Sequence, residues 1–213
     1  MELIDFILHV DVYLGRIIAS YGELTYAILF SVIFAETGLV FTPFLPGDSL
    51  LFSAGMFAAL DALNIWTLFF LLWAASFLGD NVNYWVGYYF GQKIVDNHRI
   101  PINQNHIDKT RDFFREHGKK TIILARFMPI VRTFAPFVAG IGKMEYGKFV
   151  PFSFLGGLAW VVIFVFGGYF FGNIPLVRDN FSTVIMIIIA VSVLPALVKI
   201  IGNKLKNRSK EGR

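Results

Sequence analysis

Runs of apolar residues long enough to cross a lipid bilayer constrain this chain more than any other feature of its sequence. Residues 149–172 and 180–201 are two such runs, because a helix needs about 20 apolar residues to span the hydrocarbon core. A third stretch, 64–91, is apolar up to Phe77 and polar afterwards, so its second half must face protein or water. Hydrophobic residues make up 56% of the chain and charged residues only 16%, too few to cover a soluble globule of this size. We therefore expect an all-α integral membrane protein in which residues 1–213 form one domain.

Two further apolar stretches, 24–60 and 121–142, are interrupted by helix-breaking residues. The breaks are Pro43, Pro46 and Gly47 in the first stretch, and Pro129 and Pro136 in the second. The resulting arms are too short to span the bilayer as separate helices. They predict re-entrant hairpins or discontinuous helices, which are tolerated at membrane depth only where their backbone lines a cavity or lies within protein.

Lys and Arg residues indicate the orientation. Seven of them lie in the hydrophilic segment 92–120 and six in 199–213. By the positive-inside rule, 92–120 and the basic tail 202–213 are both cytoplasmic. The hairpin 121–142 then enters from the cytoplasm, and the hairpin 24–60 enters from the opposite face. Residues 1–20 predict an amphipathic or marginally spanning helix, whose side is left open.

A weak internal repeat accompanies the two opposed hairpins. The sequence Pro-Phe-Leu-Pro-Gly at 43–47 resembles Pro-Phe-Val-Ala-Gly at 136–140, and Gly-Tyr-Tyr-Phe-Gly at 87–91 resembles Gly-Tyr-Phe-Phe-Gly at 168–172. The order is the same, and the predicted topology is inverted. Inverted repeats built around broken helices are typical of secondary transporters, whose site lies at the midplane.

Five ionisable residues stand out within these apolar segments: Glu36, Asp48, Asp80, Arg126 and Arg132. A charged side chain in the bilayer is costly, so it usually belongs to a transport pathway or has a partner. The arginines keep their charge, and their planar fork of donors suits a phosphate group. A buried carboxyl group can relay protons, which makes Glu36 and then Asp48 the candidates for ion coupling.

Structural interpretations of the same residues remain open. Asp48 has the position of a helix N-cap after Gly47, and both arginines have potential ion-pair partners in Glu36, Asp48 and Asp80. Asp80 also shares a helical stripe with Asn83 and Tyr84, which is consistent with a hydrogen-bonded lock between helices.

Other classes of site have little support in the sequence. The chain has no cysteine, and its four histidines lie outside the main apolar segments, which excludes thiolate chemistry and argues against a metal centre. No hydrolase elbow, zinc-protease motif or phosphate-binding glycine loop occurs, and a nucleic-acid surface would need a basic face. We therefore expect no enzyme activity, cofactor, metal or nucleic-acid partner.

Residues 34–50, 79–91 and 113–140 resemble the DedA family of bacterial inner-membrane proteins, which is related to VTT-domain lipid scramblases. The motifs are E-x(6)-P-x-x-P-G-D, starting at Glu36, and R-F-x-P-x-x-R-x-x-x-P, starting at Arg126. The resemblance implies a lipid transporter in the bacterial inner membrane that returns undecaprenyl phosphate to the cytoplasmic leaflet, driven by an ion gradient. It also implies that the essential acidic pair is Glu36 and Asp48, and the essential arginine pair Arg126 and Arg132.

Three functions follow as hypotheses. The first is a flippase for undecaprenyl phosphate coupled to a proton or sodium gradient. The second is a passive scramblase for phospholipids such as phosphatidylethanolamine, and the third is an intramembrane phosphatase or phosphotransferase. The sequence leaves the lipid, the coupling ion and the oligomeric state open, and a homodimer is compatible with it.

Overall fold

The computed structural model describes residues 9–39, 47–95, 118, 121–126, 128–178, 180, 183, 184, 186 and 187. Within these residues the structure has helices and no strand, which confirms the all-α class, whereas the inverted repeat of opposed hairpins stays a prediction. The helices are α1 (Val10–Tyr21), α2 (Leu24–Gly38), α3 (Gly47–Ala59), α4 (Ile65–Val95), α5 (Thr121–Ala125), α6 (Pro129–Ile141), α7 (Tyr146–Val161), α8 (Gly167–Phe171) and α9 (Pro175–Arg178). A short π-helix, Val162–Phe166, joins α7 to α8.

Two helical stretches have the length and hydropathy of membrane spans. Ile65–Gly91 within α4 contains 27 residues, and Tyr146–Phe171, which runs through α7, the π-helix and α8, contains 26. They correspond to the predicted spans 64–91 and 149–172. The remaining predicted span, 180–201, lies mostly outside the described residues. The same is true of most of 92–120 and of all of 202–213.

The two proline-interrupted stretches each form a pair of short helices. Helix α2 has 15 residues and α3 has 13, so each is about 20 Å long, less than the hydrocarbon thickness. In the second stretch, α5 has only five residues and α6 has 13. Their lengths agree with the predicted hairpins, and re-entry into the membrane stays a prediction.

The predicted breaks, with the exception of Pro136, fall at the ends of these helices or outside the described residues. Gly47 is the first residue of α3, whereas Pro43 and Pro46 lie outside the described residues. Pro129 begins α6, a position where its missing N–H costs no helix hydrogen bond. Pro136, by contrast, lies inside α6, so the helix does not break there as predicted but continues through the proline, whose missing N–H removes one helix hydrogen bond.

Helices α4 and α6 approach closely through two glycines, and α3 and α8 do the same. A Cβ atom on Gly140 would collide with the backbone of Tyr84, and one on Gly87 would collide with the backbone of Phe137. Thin faces of this kind let membrane helices pack at short distance.

The pair α3 and α8 repeats this arrangement. A Cβ atom on Gly55 would collide with the Val165 backbone, and one on Gly168 would collide with the Phe52 backbone. Helices α3 and α6 are therefore each fixed by glycine contacts, α3 against the stretch Tyr146–Phe171 and α6 against α4.

The apolar core lies mainly between α1, α2, α3, α4 and the continuous helical stretch Tyr146–Phe171, which we call the α7–α8 rod. Its members include Leu14, Ile33, Leu51, Leu72 and Val165, each at most 1% exposed. This packing holds α2 and α3 on one side of the long helices, while α5 and α6 pack on another part of α4 and α7. The C-terminal end of α2 and the N-terminal ends of α3 and α6 meet in the interior of the protein.

Candidate functional site

Arg132 lies between two carboxylates that come from the other hairpin. Its Nη2 donates to Glu36 Oε1 on α2, and its Nη1 donates to Asp48 Oδ1 on α3. All three side chains are largely enclosed, with exposed fractions of 8% for Arg132, 1% for Glu36 and 12% for Asp48. One guanidinium therefore ties both arms of the first hairpin to α6 of the second.

Local sequence positions these three groups. Asp48 follows Gly47 in the first turn of α3, where a carboxylate interacts favourably with the helix dipole. Gly47 has no side chain, and a Cβ atom there would collide with the Glu36 carboxylate. A glycine at this position thus lets Glu36 and Asp48 approach the same arginine.

Arg126 forms a second buried cluster with groups on the long helices. Its Nη2 donates to Asp80 Oδ2, and its Nη1 donates to Ser76 Oγ at 2.6 Å, both on α4. Ser153 Oγ on α7 donates to the same Asp80 oxygen at 2.6 Å. Arg126 and Asp80 are 5% and 2% exposed. Arg126 thus has an ion-pair partner, as the structural interpretation of the sequence proposed, and this partner is Asp80.

Trp160 on α7 connects the two clusters. Its indole Nε1–H donates to Asp48 Oδ1 at 2.8 Å. The Cζ atoms of Arg132 and Arg126 lie over its ring, 5.2 and 5.7 Å from the centroid, which is within the range of cation–π interactions. The four residues predicted from the resemblance, Glu36, Asp48, Arg126 and Arg132, are therefore gathered around one buried indole ring.

The other two members of the predicted polar stripe on α4 have structural contacts. Asn83 Nδ2 donates to the Thr37 carbonyl at 2.9 Å and to the Thr133 carbonyl at 2.8 Å, which links α2 to α6. Tyr84 stacks on Phe149, and its hydroxyl donates to the Met144 carbonyl. Asn83 therefore braces the two hairpins near the arginine clusters, whereas Tyr84 anchors the loop before α7.

Comparison with known proteins gives a consistent result. Residues 45–170 match the family model described as the VTT domain, which is more than half of the chain. Over 205 residues, the chain is 53% identical to Protein DedA of Escherichia coli strain K12, covering 95% of this chain and 94% of that protein. This chain belongs to the DedA family of membrane proteins. Homologues named as membrane proteins and the two helices of spanning length together place this DedA-family protein in a membrane.

More distant relatives cover less of the chain. An uncharacterized membrane protein of Mycobacterium leprae is 41% identical over 169 residues, or 78% of this chain and 75% of its own length. Inner membrane protein YqjA of Escherichia coli strain K12 is 34% identical over 152 residues, or 71% and 69%. No solved structure matches this DedA-family protein.

Three residues of the site were not among the sequence candidates for phosphate binding or ion coupling. They are Trp160, Ser153 and Ser76, the last of which lies about one helical turn before Asp80 on α4. The sequence contains one indication for Trp160, because an indole N–H inside an apolar span requires a hydrogen-bond acceptor. Ser153 lacked such a signal, since a serine in a membrane helix can also satisfy its hydroxyl on its own backbone. The DedA-family motifs thus indicated the charged residues but not the groups that orient them.

Proposed function

We propose that this DedA-family protein is a lipid transporter that carries undecaprenyl phosphate from the outer to the cytoplasmic leaflet, driven by a proton or sodium gradient. The observation that carries the proposal is Arg132, a buried arginine shared by two carboxylates from the opposite hairpin. A guanidinium fork binds a phosphate monoester in the same bidentate manner as it binds carboxylates. In this proposal the carboxylates of Glu36 and Asp48 hold the positions on Arg132 that the lipid phosphate takes when it binds.

The charges of the Arg132 and Arg126 clusters, counted together, give a physical reason for ion coupling. Glu36, Asp48 and Asp80 are three acidic groups, whereas Arg126 and Arg132 are two basic ones. When a phosphate takes Arg132, both Glu36 and Asp48 lose their cationic partner inside the protein, which is costly unless each gains a cation. Binding of a proton or sodium ion to these carboxylates offsets that cost. Anion uptake and cation uptake are then thermodynamically linked.

Arg126 is proposed as the second phosphate ligand. Its partner is Asp80, which Ser153 also holds by a hydrogen bond. This support makes Arg126 the more firmly fixed of the two arginines, because its cluster lies wholly on α4, α7 and the turn after α5. We infer that Arg126 attracts and orients the phosphate and that Arg132 exchanges partners.

The lipid chain stays outside the protein in this proposal. A C55 chain cannot be enclosed by so few helices, and large apolar side chains such as Phe70, Tyr89 and Phe170 face outward on the long helices. Only the headgroup enters between the hairpins.

We further propose that the hairpins form an inverted repeat, with a register that differs from the predicted one. Phe52 and Gly55 contact α8 as Phe137 and Gly140 contact α4, and both pairs belong to a shared sequence pattern, Phe-x-Ala-Gly. Gly140 is then equivalent to Gly55 and not to Gly47. Two such units rocking in turn would expose the site to each side of the membrane.

The test is leaflet-resolved transport of undecaprenyl phosphate in liposomes that contain the purified protein. We expect inward accumulation when a proton or sodium gradient is imposed and none when an ionophore collapses it. Flux that is independent of the gradient and extends to phosphatidylethanolamine would instead identify a passive scramblase. Release of inorganic phosphate from the lipid would show an enzyme and contradict our proposal that the protein performs no chemistry on its substrate.

A further inference from the structure

Trp160 makes contacts that no charged residue of the site could replace. It is 1% exposed, and its N–H donates to Asp48 Oδ1, the same oxygen that accepts from Arg132 Nη1. Its ring also lies under the guanidinium groups of Arg132 and Arg126. The indole thus contacts both members of the Arg132–Asp48 ion pair.

These contacts have different consequences once a phosphate arrives. Arg132 must leave Asp48 to bind the phosphate, but the attraction of a guanidinium to an aromatic face requires neither carboxylate. A planar guanidinium can stack on a ring and still present its N–H groups to an anion in its own plane. The ring therefore keeps Arg132 in place while its anionic partner changes.

Asp48 interacts with the N–H of the same indole. After Arg132 leaves, the indole N–H still donates to Asp48 Oδ1 and stabilises the carboxylate until a cation reaches it. The other charged groups of this cluster are Glu36 on α2, Arg132 on α6, Asp80 on α4 and Arg126 after α5. Trp160 therefore supplies Asp48 with a neutral donor whose hydrogen bond does not depend on Arg132.

We propose that Trp160 is a positioning residue for anion exchange: its ring retains Arg132, and its N–H retains Asp48, while a phosphate monoester replaces the carboxylates. The residue is well placed for this task, because α7 ends at Val161 and the π-helix begins at Val162. Single π-helical turns occur often at functional sites. This proposal rests on the proposed function and assigns a role inside it.

The experiment separates the N–H from the ring. Trp160→Phe keeps an aromatic face and removes the donor, whereas Trp160→Leu removes both. Trp73→Phe is the matched control, because Trp73 also belongs to a long helix and donates to a backbone carbonyl, that of Phe154, at 3.3 Å, and none of its described contacts is with Arg132 or Asp48. Each variant is assayed as full-length protein for folding by thermal unfolding in detergent, for binding of farnesyl phosphate with farnesol as the neutral reference, and for gradient-driven uptake in liposomes.

We expect Trp160→Phe to bind farnesyl phosphate within about threefold of wild type. Its uptake should reach half-maximum at a concentration of the driving cation about three- to tenfold lower, because Asp48 with one hydrogen-bond donor fewer binds the cation more readily. For protons this is a shift of about half to one pH unit upward. Trp160→Leu should in addition bind farnesyl phosphate about five- to thirtyfold more weakly, and Trp73→Phe should match wild type in both assays.

Two results would overturn the proposal without affecting the proposed function. One is a wild-type cation dependence in Trp160→Phe, and the other is wild-type farnesyl phosphate affinity in a folded Trp160→Leu. A cation shift in Trp73→Phe as large as that in Trp160→Phe would likewise show that the effect is not local to Asp48. If wild-type protein neither binds farnesyl phosphate more tightly than farnesol nor transports the lipid, the proposed function fails, and the role of Trp160 fails with it.

Discussion

Arg126 and Arg132 differ in what holds them, although they are only six positions apart in one sequence motif. Arg126 interacts with a carboxylate and a hydroxyl group of α4, which belongs to the packed scaffold. Arg132 interacts with two carboxylates, one from each arm of the first hairpin. A change at Arg132 therefore alters the contact between the hairpins, whereas a change at Arg126 alters the attachment of one hairpin to a long helix.

Replacing either arginine with lysine should weaken lipid binding at every pH. Arg126→Lys and Arg132→Lys keep the charge but lose the bidentate fork, and a damaged desolvated charge pair costs on the order of 2–5 kcal/mol. Affinity for farnesyl phosphate, measured by equilibrium dialysis, should fall at least tenfold in both. The control is Arg16→Lys, because Arg16 is exposed and lies over the Tyr13 ring. Wild-type affinity in either variant would place the phosphate elsewhere.

Glu36→Gln should uncouple transport while leaving the site occupied. Glutamine has the size of a protonated glutamate but cannot bind or release a proton. With Arg126 and Arg132 intact, the variant should bind farnesyl phosphate yet lose accumulation driven by an imposed gradient. Liposome flux and thermal unfolding are measured together, with the exposed Glu145→Gln as control. Loss of both stability and binding would show a purely structural ion pair, and preserved coupling would leave Asp48 as the ion site.

At the scale of the elements, two contacts between a 13-residue helix and a stretch of membrane-spanning length depend on glycine. Gly140 fixes α6 against α4, and Gly168 fixes α8 against α3, in each case by backbone approach. Such contacts leave no space for a methyl group. The same elements carry Arg132 and Asp48, so a displaced helix also displaces the site.

Gly140→Ala and Gly168→Ala should each destabilise the protein by about 1–3 kcal/mol, because the added Cβ atom overpacks a rigid backbone contact. Their midpoints of thermal unfolding in detergent should fall by several degrees. Gly147→Ala is the control, since no atom lies within 4 Å of its added Cβ and alanine favours the helix. Equal midpoints in all three variants would contradict the close-packing argument.

At the scale of the whole molecule, the two long helices set how the hairpins face each other. If α4 and the α7–α8 rod each cross the bilayer once, the two hairpins enter from opposite sides and meet at the arginine clusters. The positive-inside rule predicts that the loop before α7 is cytoplasmic. The proposed transport depends on this predicted arrangement, because a site between opposed hairpins can open to either side.

Single cysteines introduced into this cysteine-free chain should report that topology. Cysteines at Ala62 and Ile174, both exposed, should react with an impermeant maleimide added outside intact cells. Cysteines at Glu145 and Asn103 should react only after the cytoplasmic membrane is permeabilised. Labelling of Glu145 and Asn103 from opposite sides would make the second proline-interrupted stretch a full span and would contradict the inverted topology.

The amino-acid sequence by itself determined the class of fold and the charged residues of the site. Helical spans follow from apolar length alone, because a membrane helix satisfies its own backbone hydrogen bonds. Ionisable residues in apolar stretches are conspicuous for a similar reason, since burying a charge is costly. Residues such as Glu36 and Arg132 could therefore be chosen without any structure.

Only the tertiary structure decided which charge meets which. The sequence offered Glu36, Asp48 and Asp80 as partners for either arginine, and helix packing assigned Asp80 to Arg126 and the other two to Arg132. It also brought Trp160 to Asp48 across 112 positions of the sequence. Which carboxylate pairs with which arginine depends on glycine contacts and on the register between helices that are far apart in the sequence. No local sequence pattern encodes that register.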